Sequence, residues 1–162
     1  MKDKTLVYLM DPTNRRVLLG LKKRGFGAGK WNGFGGKVEP NESVITAAVR
    51  ELKEECGVDV RDSDLIEVGV FDFVTAKHSE LSTRVHTFVV LKWTGAPVES
   101  EEMAPQWFSF DQLPLQSMWS SDGLWLPLML FGERLSGTMV FGPDDESVLD
   151  YSFDLNGSWM QK

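Results

Sequence analysis

The chain changes character sharply at residue 37. Residues 25–36, GFGAGKWNGFGG, hold six glycines in twelve positions, a density that cannot form a helix interior. NESVITAAVRELKEECGV (residues 41–58) follows directly and carries helical periodicity, with Asn41 predicted as N-cap and Gly57 as the stop. On a wheel of about 100° per residue, Ile45, Ala48, Val49, Leu52 and Cys56 form one apolar stripe. Glu54 falls opposite the stripe, in a solvated position. Glu51 and Glu55 fall on its shoulder, where a helix meets the body of its domain. They lie one turn apart, with Cα atoms separated by about 6 Å, so both can reach one ion.

Two carboxylates at such a shoulder repel unless a cation lies between them. The cation is either an arginine or a metal ion. Arg50 and Lys53 point to other sectors of the wheel, which favours the metal. An all-oxygen ligand set suits Mg²⁺, with Mn²⁺ as the alternative, and Mg²⁺ is commonly shared with substrate phosphates. GAGK within the glycine run resembles a phosphate loop only superficially. The required first glycine is Arg24, and Trp31 stands where Ser or Thr is needed. Gly35 and Gly36 lead into the acidic helix and let the backbone approach a ligand closely.

The remaining chain supplies strands. KTLVYLMD and RRVLLGLKK flank a DPTNR turn. LIEVGVFDFVT and TRVHTFVVLKW alternate like antiparallel partners, and TMVFG with VLDYSFDLN reads as a hairpin across PDDES. APQWFSFDQLP is a short strand and a turn. GLWLPLMLFGERL is a second helix, with Pro127 expected near its start. Strands mixed with two separated helices predict an α/β fold with a mixed sheet and helices on its faces. The 162 residues fit one domain, 1–162, with no linker long enough to divide it. A net charge of −7 argues against a nucleic-acid polymer as partner, because phosphate-backbone binding needs clustered Lys and Arg. A single cysteine, no run long enough to span a membrane, and no leader-like N-terminus point to a cytoplasmic protein without a membrane partner.

Taken in order, Gly36, Glu42, Arg50-Glu51-Leu52, Glu54-Glu55 and Gly57-Val58 match the Nudix box, residues 36–58, at nine defined positions over twenty-three residues. The chain therefore resembles the Nudix hydrolases. That resemblance implies an α/β/α sandwich with a mixed sheet and the box as loop–helix–loop. It also implies Mg²⁺-dependent cleavage of a nucleoside diphosphate linkage. RVLLGLKKRGFGAGKWNGFGGKV, GAPVESEEM, WLPL and LDY extend the likeness from Thr5 to Tyr151. They resemble the branch of the family that hydrolyses oxidised purine nucleoside triphosphates to the monophosphate and pyrophosphate. The partner so implied is a small nucleoside triphosphate, handled by a monomer.

The same resemblance assigns roles. Glu51, Glu54, Glu55, the Gly36 carbonyl and Glu102 become metal ligands, although Glu102 also reads as a solvated acidic loop. Glu55 and Glu51 become catalytic, with Glu55 as base or as bridge between ions. Arg50 orients a box glutamate through charge-assisted hydrogen bonds. Lys22 meets phosphate. Thr5, Phe26, Asn32, Phe71, Trp119 and Asp122 bind the nucleoside, although Phe26 and Phe71 read equally well as core packing. Trp119 offers a stacking face, Asn32 an amide that donates and accepts, and Asp122 a carboxyl whose protonation decides which it does. The chain departs from the likeness at Ser121, where relatives carry the first of two adjacent aspartates. Such a pair can share a proton, so a narrower choice of base is expected here.

Overall fold

TLVYLM faces two cores at once. Its side chains alternate between them, with Leu6, Tyr8 and Met10 in one cluster and Val7 and Leu9 in the other. Period-two alternation of apolar residues with no polar face is what a strand covered on both sides requires. The computed structural model describes residues 1–160. Within them this segment is the central strand β1 (Lys2–Asp11). It runs parallel to β5 (Thr83–Val90) from Lys2↔Thr83 to Leu9↔Val90, then meets β2 (Arg16–Lys22) antiparallel at Met10 and Asp11.

The other strands are β3 (Trp31–Asn32), β4 (Leu65–Thr75), β6 (Met103–Ser109), β7 (Glu133–Phe141) and β8 (Val148–Ser158). The sheet order is β3-β2-β1-β5-β4-β7-β8, and β6 pairs with β2. β4–β5 and β7–β8 are antiparallel, as their alternation predicts, whereas β4–β7 is parallel. The sheet is therefore mixed. Helix α1 (Val44–Cys56) covers one face through Ala48, Leu52 and Cys56. Helix α2 (Asp122–Leu130) covers the other through Trp125, Leu126, Met129 and Leu130. Among the described residues, no helix is long and apolar enough to cross a membrane.

Local expectations change at both helices. The N-cap of α1 is Ser43, whose hydroxyl accepts from Thr46 N–H at 3.0 Å. Asn41 instead takes a left-handed conformation two residues earlier, at φ 67°. Gly57 closes the helix as expected, at φ 76°, with its N–H on the Lys53 carbonyl at 3.0 Å. Pro127 lies inside α2, five residues past its start, and the chain following Gly132 is already strand β7. Pro127 has no N–H to give the carbonyl of Gly123, so this short helix lacks one of its internal hydrogen bonds there.

Candidate active site

Segment 32–36 threads alongside β1 and carries the site. Phe34 exchanges hydrogen bonds with Val7 at 2.6 and 2.9 Å, and Thr5 N–H donates to the Gly36 carbonyl at 2.9 Å. These contacts explain the paired glycines. A Cβ on Gly35 would stand 1.9 Å from the Thr5 carbonyl oxygen, and one on Gly36 would stand 2.5 Å from Glu51 Oε1. At Gly35 the obstacle is backbone, whereas at Gly36 it is a carboxylate brought against the main chain.

Glu55 lies at the C-terminal end of this meeting of loop and helix. It is 7% exposed, and its Oε1 accepts from Gly35 N–H at 2.8 Å. Burial pushes its carboxyl up to about 7. The Gly35 hydrogen bond and the charge of Lys22 oppose the shift, and the charges of Glu51 and Glu102 reinforce it. Glu51 is raised as well, chiefly by burial. Arg50 does not point away, contrary to the wheel. Its Nη1 donates to Glu51 at 2.9 Å, while Nε and Nη2 clamp both oxygens of Glu42 at 2.8 and 2.9 Å and Nη2 also reaches the Lys37 carbonyl. Glu42 and Arg50 thus frame Glu51. Glu54 is 58% exposed and touches only the outer edge of Arg50, at 3.5 Å. Glu102, just before β6, is held by Lys22 Nζ at 2.8 Å and by Arg24 at 3.1 and 3.2 Å. Those cations lower its pKa.

Among the described residues, no three acidic, His or Cys side chains converge closely enough to hold an ion. The donors nevertheless fit a hard cation. Two neighbouring carboxylates are raised by burial, and between them they receive one backbone N–H and one guanidinium N–H. Gly36 brings its Cα against Glu51, and its carbonyl accepts from Thr5 N–H at 2.9 Å. Oxygen donors alone, on a partly buried carboxylate pair, match the preferences of Mg²⁺ or Mn²⁺.

The other end of segment 32–36 holds a different set of polar groups. Asn32 Oδ1 accepts from Gly33 N–H at 2.8 Å and from the Tyr8 hydroxyl at 3.3 Å. Asp122, the first residue of α2, is 4% exposed, and burial pushes its carboxyl up to about 7. Its Oδ2 and the neighbouring indole N–H of Trp125 are both buried without a hydrogen-bond partner among the described residues. The two groups are close, but not in bonding geometry. Unsatisfied buried polar atoms are rare in folded chains and mark a place where a partner is missing.

Trp119 stands above, with Phe26 at 5.2 Å between ring centroids, Lys30 Nζ 5.0 Å from its ring, and Gly27 beneath its edge. These residues line an open cleft of about 460 Å³ that is rimmed by Glu146. Phe26 is therefore an exposed aromatic of the cleft, not core. Phe71 is the reverse. At 1% exposure it is packed 4.9 Å from Trp125 and backs the pocket without opening onto it. Thr5 is buried, and its hydroxyl is turned to Gly36 at 3.4 Å. Ser121 is buried and makes no capping bond. The sequence reading passed over Tyr8, Lys30 and Trp125. For Tyr8 a signal existed, since one phenol in an otherwise aliphatic central strand must find a hydrogen-bond partner.

Fold, box helix and buried polar pocket together define a class. The family model for the NUDIX domain matches residues 2–129, and the chain belongs to that family, as a hydrolase. Within it, the chain is 47% identical over 148 residues to the oxidized purine nucleoside triphosphate hydrolase of Mus musculus, covering 91% of each chain. It is 48% identical to the Danio rerio protein of the same name, covering 93% of this chain and 96% of that one. Among solved structures it resembles the MutT protein of Bacillus halodurans, with a TM-score of 0.81 and 27% identity over 95% of this chain and 98% of that chain.

Proposed function

We propose that this protein, as one domain spanning 1–162, hydrolyses oxidised purine nucleoside triphosphates such as 8-oxo-dGTP to the monophosphate and pyrophosphate, with Mg²⁺ or Mn²⁺ as cofactor. The observation that carries the reading is the placement, at the two ends of segment 32–36, of a buried carboxylate pair and a buried pocket of unpartnered polar atoms. One end suits a cation and phosphates, and the other suits the edge of a purine. The relatives named for this activity support it.

Glu51, Glu55 and the Gly36 carbonyl are the residues that hold the ion, with Glu54 and Glu102 approaching from outside. When bound, the ion supplies charge neutralisation on the phosphate oxygens and lowers the pKa of a water. Gly35 N–H fixes Glu55 Oε1 and leaves Oε2 to take the proton of the attacking water. The water oxygen bonds to one phosphorus of the α–β anhydride, the P–O bond from that phosphorus to the bridging oxygen breaks, and the monophosphate and pyrophosphate separate. Arg50 holds Glu51 in place, Lys22 offers positive charge to the phosphates, and Thr5 holds the Gly36 loop against β1. Trp119 and Phe26 stack on the base, while Asn32, Asp122 and Trp125 read its edge.

The test is kcat/KM for 8-oxo-dGTP against dGTP, with pyrophosphate measured, in Mg²⁺ and in chelator. The expected result is a preference of at least about tenfold for the oxidised base and loss of turnover in chelator. A ratio near one would leave a hydrolase and remove its role in clearing damaged nucleotides.

A further inference from the structure

Tyr8 is fully buried in β1, yet its hydroxyl is aimed at the base pocket. The chain makes room for it. A Cβ on Gly33 would come within 2.9 Å of the ring at two atoms, so only glycine fits beside it. Trp125 meets the ring edge-on at 5.9 Å between centroids. On the side of Asn32, the hydroxyl donates to Oδ1 at 3.3 Å. Burial, and after it the charge of Asp122, raises the pKa of the phenol and holds it in its protonated form.

The consequence lies in the polarity of Asn32. A side-chain amide can turn over, exchanging its acceptor for its donor. Here Gly33 N–H, which can only donate, binds Oδ1 at 2.8 Å, and the Tyr8 hydroxyl takes the second acceptor position of the same oxygen. With both acceptor sites of Oδ1 filled, Nδ2 carries two hydrogens and has no partner among the described residues. We infer that Tyr8 is a positioning residue that locks Asn32 with its amide donors toward the ligand, so that the pocket selects a purine edge presenting an acceptor. This rests on the nucleotide-binding reading above and adds the device that sets its selectivity. The Trp125 indole N–H, also unpartnered, is a second donor in the same pocket. Asn32 and Trp125 therefore bring donors to the pocket, and Asp122 brings a carboxyl that accepts when ionised.

A double-mutant cycle tests it. Tyr8→Phe keeps the ring that packs on Gly33 and Trp125 and removes only the hydroxyl. With 8-oxo-dGTP as substrate, KM should rise about threefold to tenfold, the range set by one hydrogen bond, with kcat within about twofold. In an Asn32→Ala background the same change should move KM by less than about twofold, because the group through which Tyr8 acts is gone. Thermal midpoints are recorded for all four proteins, and the shift from Tyr8→Phe should differ between the two backgrounds, because the hydroxyl loses its partner when Asn32 is removed. An undiminished KM effect in the Asn32→Ala background, or a loss confined to kcat, would overturn the inference. The cycle is repeated with dGTP. If the wild-type protein shows no preference for 8-oxo-dGTP, the proposed substrate fails, while the cycle on dGTP still decides the role of Tyr8.

Discussion

Replacing Glu55 by glutamine removes a buried charge while keeping an acceptor for Gly35 N–H. The consequence for the metal-free protein is opposite in sign to the consequence for turnover. In the folded chain the carboxyl is held at about 7, against an ordinary value of 4.5. The folded state therefore binds an extra proton between those two values. Stability falls as pH rises through that window, and the loss is complete once pH exceeds about 7. Below 4.5 the carboxyl is protonated in both states and contributes no difference. The gap corresponds to at most roughly 3 kcal/mol. Allowing for relaxation around the site, Glu55→Gln should stabilise the metal-free protein at pH 8 by about 1–3 kcal/mol, or roughly 3–10 °C in Tm for a chain of this size. At pH 4 the gain should vanish. Added Mg²⁺ should reverse the ranking, because the wild-type carboxylate binds the ion and gains stability by mass action. Turnover should fall at least about a hundredfold. The assay is thermal unfolding of both proteins at pH 4, 6 and 8, in chelator and in millimolar Mg²⁺, paired with initial rates. Asp122 titrates in the same window, but it is common to both proteins and cancels in the comparison. A variant less stable than wild type at pH 8 in chelator would refute the reasoning, as would a stability difference that does not change with pH.

The two glycines of the loop should separate folding from function. Gly36→Ala meets the flexible end of Glu51, so it should fold normally and raise the Mg²⁺ concentration for half-maximal rate about tenfold or more. Gly35→Ala meets the Thr5 carbonyl and should cost about 3 kcal/mol in urea unfolding. Trp119→Ala should raise KM about tenfold through lost stacking and leave kcat nearly unchanged. An equal fall in kcat would place Trp119 elsewhere in the mechanism. Asp122 is held at about 7 by burial, so it is a donor below that pH and an acceptor above it. KM for 8-oxo-dGTP should therefore inflect near pH 7, and Asp122→Asn should flatten the profile. With Ser121 in place of a second carboxylate, kcat/KM for oxidised guanine and oxidised adenine triphosphates should differ somewhere between pH 6 and 9, and identical profiles would refute the narrower base choice.

The geometry of the acidic half of the candidate site was legible because it is local. Gly36, Glu51 and Glu55 are fixed by one loop and two turns of one helix, so helical periodicity places both carboxylates on the shoulder where the structure has them. What periodicity misjudged was reach. Arg50 is adjacent to Glu51, and its Cα points to another sector, but a guanidinium on a long stem swings back to meet both Glu51 and Glu42. The pocket half was legible only through resemblance, because its members meet by tertiary packing. Tyr8, Asn32, Asp122 and Trp125 come from three distant elements and converge only after β1 is sandwiched between α1 and α2. Phe26 and Phe71 show the same limit. Both are phenylalanines with a glycine within two residues, and only the sheet decides that one lies in a solvent-facing turn and the other under Trp125.

The division between the halves also explains why the chain places its glycines where it does. Segment 32–36 must satisfy β1 on one side and two chemically opposed ligands on the other. Through Val7 and Phe34 it is bonded as a strand would be, so it cannot shift to accommodate a side chain. Gly33 yields to the Tyr8 ring, Gly35 to the Thr5 carbonyl, and Gly36 to the Glu51 carboxylate. Each missing Cβ is matched to a different neighbour, and only the last neighbour is a carboxylate of the box helix. The run is therefore no generic flexible loop. It is a rigid connector between the two halves of the candidate site, and on the proposed function an insertion of one residue anywhere between Asn32 and Gly36 should abolish activity while leaving the box helix intact.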